Sequence, residues 1–385
     1  MTLSDFEILC SEQARRAIDE NIARDPVAIA LDKRIEHASL IATQVKRLQR
    51  AKSKLPSYYA VRAILPPRAY EQSSSEQCAA QKDLAGDAVL DLTCGLGVDS
   101  IALSRKFKRV ISCEQDSVLA AITKYNMQLL GIENVEVINC SAEEYLAETT
   151  EHFDWVFVDP DRRGAKDEKL VLLEECSPNI ISLYQRVTEV AEKLCIKCSP
   201  LFDTAEAFRK FENCSVETVS LAGECKEVNI YINKKKPTLI ASAVGVARFE
   251  VEYDKLSEAE FSAPPATLEH YRYISIPDVS LVHSRLTAAA FTGRADIWSH
   301  NGVALSVEHP QLALARTFEI AEIHTFGSKE LKRALKGKAV EIIRRNCPLS
   351  TAEITRKYSL RSGAEAMWCF TRIANQFVAI RLSKI

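Results

Sequence analysis

The sequence predicts an α/β protein centred on a doubly wound, largely parallel β-sheet, and three features of residues 83 to 235 predict it. Five short apolar or β-branched runs alternate with stretches of helical periodicity, the first run ends in a glycine turn, and the second ends on one acid, Glu114. Parallel strands covered on both faces are near-continuously apolar and need helical crossovers between them, which is the pattern seen.

The chain has 385 residues, 47% hydrophobic and 26% charged, enough for two or three cores. No run reaches the roughly 20 apolar residues that span a bilayer. The longest is Leu239 to Ala247, and the start Met1-Thr2-Leu3-Ser4-Asp5 lacks the features of a signal peptide. No membrane contact and a cytoplasmic location are therefore expected. Twelve cysteines lie scattered through apolar segments and read as buried thiols rather than a disulfide framework. The close pair Cys195-x-x-Cys198 sits in a strand, where an offset of three points the side chains to opposite faces, so no metal site is expected.

Residues 1–82 form an N-terminal helical region. Phe6, Leu9, Ala14, Ala17 and Ile18 recur at helical spacing, and Asp25-Pro26 reads as a cap followed by a first-turn proline. Strands are expected at 88–90, 109–112, 135–138, 155–158 and 194–197, and a hairpin of 216–221 with 228–232 turns at Gly223 to complete seven strands. Lys234-Lys235-Lys236-Pro237 reads as a linker. An α+β segment follows over 236–323, with alternation at Phe249, Val251 and Tyr253 and a loop at Ser262-Ala263-Pro264-Pro265. A last α+β module, 324–385, should contain a strand at 339–343, a helix at 350–358 and a hairpin of 366–373 with 377–382 turning near Asn375.

The formal net charge is −2, but two basic islands interrupt an otherwise acidic chain. Residues 37–70 carry seven Lys and Arg and no acid, and residues 324–361 carry ten against Glu330, Glu341 and Glu353. Such islands suit a polyanion and equally suit a solvated face.

The segment Val89 to Ser100 is an apolar strand, a glycine turn (Gly95-Leu96-Gly97) and a helix start. Glycine lets the backbone turn sharply and approach a ligand with no Cβ in the way. Glu114 follows the second strand, 17 residues past Gly97, where a carboxylate can accept hydrogen bonds from both hydroxyls of a ribose. A nicotinamide dinucleotide would favour a third glycine, and that position is Ser100. Asp91, just before the turn, would repel a diphosphate but suits the positively charged amino-acid end of S-adenosylmethionine.

At this point the chain resembles the class I, Rossmann-like, S-adenosylmethionine-dependent methyltransferases. The match runs in order through Asp91 to Gly97, Glu114, Cys140-Ser141-Ala142-Glu143, and Asp159-Pro160-Asp161-Arg162-Arg163-Gly164. The resemblance implies S-adenosylmethionine held by Asp91, Thr93, Cys94, Gly95, Gly97, Glu114, Gln115, Ser141, Ala142 and Asp159. The family often has an aspartate at the Ser141 position to contact adenine, so Ser141 or Glu143 must serve here. The whole chain is also similar to a bacterial methyltransferase group with a ferredoxin-like segment and a C-terminal THUMP-like domain, which map to 236–323 and 324–385. That resemblance implies an RNA acceptor, with Lys329, Lys332, Arg333 and Lys336 in the RNA-binding region. The stretch Glu71-Gln72-Ser73-Ser74-Ser75-Glu76 also looks characteristic of the group, and Ser75 reads as the cap of a helix covering the cofactor.

Strand four ends at Asp159, at the crevice of an open α/β sheet, which makes it the first candidate to handle the acceptor's proton. Asp161 and Arg162 join it as catalytic candidates, and Arg163 can hold a base edge or phosphate. Structural ion pairing among these four is the competing reading. A second mechanism makes Cys198 a covalent nucleophile, as in C5-pyrimidine methyltransferases, with Glu227 as base. A third reading is a cofactor-binding module without catalysis that engages RNA or protein. The acceptor atom, the RNA species and the oligomeric state are unspecified by the sequence.

Overall fold

The computed structural model describes residues 1–161, 172–233 and 235–383. Two compact units divide it: Met1–Asp203 with Asn229–Lys234, and Thr204–Val228 with Lys235–Ile385.

The first unit opens with seven helices between Leu3 and Gln81, as the spacing of apolar residues predicts. Asp25 caps the helix Pro26–Ala30 by accepting from the Val27 N–H at 2.8 Å, and Ser75 caps Glu76–Gln81 by accepting from the Cys78 N–H at 3.2 Å. These helices are no separate appendage. Leu9, Ile18, Ile41, Val45 and Leu48 share one buried core with Leu96, Val98, Ile101, Ile122 and Met127 of the segment that follows.

Strands β1 (Gly86–Asp91), β2 (Phe107–Cys113), β3 (Val135–Ile138), β4 (Phe153–Val158) and β5 (Ala191–Cys198) alternate with helices Val98–Ser104, Ser117–Leu129, Ala142–Glu148 and Ile180–Val190. They pair in parallel in the order β3-β2-β1-β4-β5. The order reverses between β1 and β4, so the crossovers leave on opposite sides and a crevice opens at the strands' carboxyl ends. Strand β7 (Glu224–Ile232) lies next to β5, and its residues divide between the two units.

In the second unit β6 (Cys214–Leu221) joins β7 through Ala222 and Gly223, at φ 53° and 79°, the positive angles that a two-residue hairpin turn demands. The order continues β7-β6-β8-β9 with β8 (Thr238–Ala243) and β9 (Ala247–Glu252), so the sheet has nine strands rather than the expected seven. The alternation at Phe249 and Val251 that suggested a new domain belongs to this strand at the end of the sheet order: β9 pairs with β8, with Phe249 and Val251 half-buried on one face and Arg248 and Glu250 exposed on the other.

A second sheet has the order β11-β12-β10-β13-β16-β15-β14. Its strands are β10 (Tyr273–Pro277), β11 (Asp296–Ile297), β12 (Ala304–Ser306), β13 (Ala315–Thr325), β14 (Ala339–Arg345), β15 (Arg361–Ile373) and β16 (Gln376–Ser383). The 11-residue β13 pairs with both β10 and β16, so the boundary expected at residue 323 falls inside a continuous sheet. The expected helix is Thr351–Tyr358, crossing between the parallel pair β14 and β15, and the β15–β16 hairpin turns at Ala374-Asn375.

Asn126 carries the connection between the N-terminal helices and the sheet layer. Fully buried, it accepts from the Ile64 N–H at 2.8 Å and donates to the Ile64 carbonyl at 2.9 Å. Asn126→Ala strands both backbone groups, at about 1–3 kcal/mol each. Urea unfolding should show a loss of at least about 2 kcal/mol.

Candidate active site

The crevice at the β1/β4 reversal holds a cavity of about 970 Å³, lined entirely by the first unit. The glycine turn forms its floor. Gly95 sits at φ 55° with open space where a Cβ would stand, and its N–H donates to Glu114 Oε2 at 2.8 Å. Gly97, at φ 80°, is required by packing instead: a Cβ there would meet Thr123 Cγ2 at 2.8 Å and Met127 Cε at 2.9 Å. Only the first glycine is thus a ligand-facing position, and Gly97 does not line the cavity.

Glu114 accepts from Gly95 N–H through one oxygen and from Asp116 N–H at 2.9 Å through the other. Each oxygen keeps a second lone pair for a vicinal diol, so the donor set fits a ribose. Burial pushes the Glu114 carboxyl upward against these hydrogen bonds. Thr93, Cys94, Gln115, Ser141 and Ala142 line the same cavity.

Asp91 does not. It is 0% exposed beneath the turn, accepting from Thr93 N–H at 3.0 Å and Ser100 Oγ at 2.6 Å. Its part is to brace the turn rather than touch a ligand, and burial pushes its carboxyl up to about 7. Thr93 in turn joins β1 to β4, its Oγ1 accepting from Asp159 N–H at 2.6 Å. Ser141 is committed to a capping box with Glu144, donating and accepting at 3.0 and 3.1 Å, which leaves the exposed, cavity-lining Glu143 freer to meet an adenine amino group.

At the other end, Asp159 is engaged by a lysine. Its Oδ2 receives Lys197 Nζ at 2.5 Å, and Lys197 also donates to Ser74 Oγ at 2.8 Å and lies 3.6 Å from Asp99. Asp99 accepts from Ser74 Oγ at 2.7 Å and pairs with Lys82 at 2.7 Å. Desolvation of Asp99 is outweighed by the two ammonium groups, which hold its carboxyl below the usual range. Lys82 and Lys197 are 1% and 4% exposed, so two buried cations meet the carboxylates of Asp99 and Asp159. None of Ser74, Lys82, Asp99 and Lys197 was a site candidate from sequence. The usable signal was two lysines inside apolar segments, because an ammonium is rarely fully buried without a partner.

Asp161 lines the cavity and accepts from Arg68 at 3.0 Å and Gln72 at 3.3 Å. Arg162 and Arg163 lie outside the described residues. Cys198 is 2% exposed and, like Glu227, is absent from the cavity lining. In the second unit, Lys329, Lys332 and Arg333 lie on the helix Lys329–Leu335, with Lys336 at its C-terminal cap. All four are exposed, while Leu331 and Leu335 are buried. Among the described residues, no helix is long and apolar enough to cross a membrane.

Residues 75–176 match the family described as conserved hypothetical protein 95, and residues 315–384 match the family described as THUMP domain-like. A crystal structure from Porphyromonas gingivalis W83, described provisionally as a methyltransferase, superposes over 96% of this chain and 97% of its own with a TM-score of 0.83 at 24% identity. The protein has the class I methyltransferase fold with a C-terminal THUMP-like domain. Two curated tRNA/tmRNA (uracil-C(5))-methyltransferases are also similar. The Neisseria meningitidis serogroup A protein is 29% identical over 33% of this chain and 41% of its own length. That of Acinetobacter baumannii is 32% identical over 35% and 45%. The chain thus spans less than half the length of these relatives.

The brace beneath the methyltransferase turn gives a pH signature. The Asp91 carboxyl is raised from 3.8 to about 7 on folding, so the native state binds its proton more tightly than the unfolded chain does. Its contribution to stability is full below about pH 4 and is lost as pH rises to about 7, the reverse of an ordinary ion-paired carboxylate. Asp91→Asn cannot titrate, so its urea midpoint should gain on wild type across that window and keep a constant difference above it.

Proposed function

We propose that this protein is a cytosolic S-adenosylmethionine-dependent methyltransferase acting on a base in RNA by direct transfer. The observation that carries the reading is the cavity itself: the diol-ready carboxylate of Glu114 and the open Gly95 turn at one end, the fixed carboxylate of Asp159 at the other. When bound, the cofactor supplies an electrophilic sulfonium methyl group.

The chain's own residues do the rest. Glu114 holds the ribose hydroxyls, Glu143 takes the adenine edge, and Asp91 keeps the turn rigid through Thr93 and Ser100. Asp159, with one oxygen held by Lys197, is oriented to accept a hydrogen bond from the acceptor's N–H and so align it. Arg68 beside Asp161 puts a cation at the cavity wall, where a phosphate or base edge can meet it. The THUMP-like match over 315–384 and the exposed basic helix at 329–335 support RNA as the acceptor.

Glu114→Gln removes an acceptor from the ribose site while keeping side-chain length. Titration calorimetry should show cofactor affinity falling about tenfold, the equivalent of one charged hydrogen bond. Unchanged affinity would remove the ribose role. With labelled cofactor and RNA from cells lacking the protein, wild type should label RNA and Asp159→Ala should lose at least about tenfold of that activity. Cofactor binding without any label in RNA would leave a non-catalytic module or a different acceptor.

The specificity named for the curated relatives favours a second reading, C5 methylation of uracil with Cys198 as nucleophile. There the thiolate adds to C6, C5 takes the methyl, a base removes the C5 proton, and the thiolate leaves. The buried position of Cys198 requires the thiol to become accessible when RNA binds. RNA containing 5-fluorouridine decides the matter, because fluorine at C5 blocks the last elimination. A covalent protein–RNA band that Cys198→Ala abolishes establishes C5 chemistry, and no band with active enzyme excludes it.

A further inference from the structure

A second cavity, of about 270 Å³, lies wholly within the second unit and takes no part in the site above. Its walls come from separate stretches of sequence: Phe208 from the helix Thr204–Lys210, Tyr253 from the turn after β9, Phe261 from the following loop, and Arg285 and His300 from the segments flanking the helix Thr287–Phe291. Small residues, Ala288 and Ala289 among them, leave the floor open.

Three properties narrow what it takes. The walls are aromatic: Phe208 and Tyr253 stack at 4.0 Å between centroids and 26° between planes, and Phe261 meets His300 edge-on at 4.8 Å. Tyr253 and Phe261 are 42% and 41% exposed, which is a costly display of ring surface unless something flat covers it. The one formal charge in the lining is Arg285; no acid lines the cavity, and among the described residues the Arg285 guanidinium makes no ion pair or hydrogen bond. Arg285 sits at φ 58° because it closes the helix Val279–His283: its N–H donates to the Val282 carbonyl at 3.2 Å and the Leu286 N–H to the Leu281 carbonyl at 3.0 Å, which fixes its backbone at the cavity wall.

Size supplies the last constraint. The volume falls just below the roughly 300–1,000 Å³ of clefts for drug-sized ligands, which is room for one planar ring system and not for an extended chain. A nucleotide offers a planar group next to an anion, whereas an unmodified peptide side chain offers a ring or a negative charge but not both. We infer that this cavity holds one unstacked nucleotide of the RNA, its base against Tyr253 and Phe261 and its phosphate on Arg285. The inference rests on the RNA reading given above. His300, hydrogen-bonded through Nδ1 to Thr287 Oγ1 at 2.9 Å, keeps Nε2 for a base edge, and burial together with Arg285 pushes its pKa down toward the neutral ring.

The test is fluorescence anisotropy of the full chain with a labelled, unstructured RNA oligonucleotide of mixed sequence, over a range of salt. Tyr253→Ala and Phe261→Ala should each weaken binding roughly five- to a hundredfold, as loss of one base–aromatic stack does, without changing the salt dependence. Arg285→Gln should weaken binding and also flatten the slope of log affinity against log salt by about 0.7, the value for one phosphate contact on a single strand. All three side chains lie outside the first unit, so cofactor affinity should stay at its wild-type value; thermal midpoints should stay there for Arg285→Gln and fall only by the lost ring contact, with Phe208 for Tyr253→Ala and with His300 for Phe261→Ala. Wild-type binding with all three variants indistinguishable from it overturns the cavity's role and leaves the RNA reading intact. No RNA binding by wild type overturns both.

Discussion

Four charges, three of them buried and the fourth, Asp159, half-buried, hold the crevice at the β1/β4 reversal together. Lys82 and Lys197 face Asp99 and Asp159 with Ser74 between them, and none of these groups can leave without stranding another in a medium that solvates ions poorly. The cluster gathers the N-terminal helices, the helix after the glycine turn, the end of β4 and the end of β5 at one point. The N-terminal helices are thereby part of the site rather than an accessory to it, and their shared core with Leu96, Val98 and Ile101 says the same in apolar terms.

That constraint also shapes the chemistry. An aspartate at the end of β4 could swing freely or form the end of a network, and Asp159 does the second, with β1 tied to its backbone through Thr93. Around the turn the labour is divided in the same way. Gly95 leaves room for a ligand, Gly97 leaves room for Thr123 and Met127, and Asp91 works from below. Preorganisation of this kind is what a methyltransferase needs, since the donor is already reactive and the protein's task is alignment.

The second unit is built on a different logic. Its seven-stranded sheet is stitched by β13, which pairs on one side with β10 and on the other with β16, so the segments on either side of residue 323 share hydrogen bonds and cannot be treated as independent modules. The unit presents an exposed basic helix and an aromatic cavity with a single cation in its lining, the two features on which the proposed RNA contact rests.

The parallel strands, the glycine turn, Glu114 and the last hairpin were legible in the sequence because each is a local pattern: a period, a spacing or a turn residue within a few positions. Ser74, Lys82 and Lys197 were not, since Ser74 and Lys197 are 123 residues apart and nothing near either names the other. Asp91 and Gly97 were read as ligand contacts because the motif lies next to a ligand, but their orientation depends on what packs behind the turn. The continuation of the sheet through β8 and β9 was likewise hidden, because a strand's sequence records which faces are covered and not which strand lies beside it. By itself the sequence determined the five parallel strands, the glycine turn with the acid after the second strand, and the last helix and hairpin. Only the tertiary structure decided which charges are buried together and which rings enclose a cavity, because both depend on contacts between residues distant in the chain.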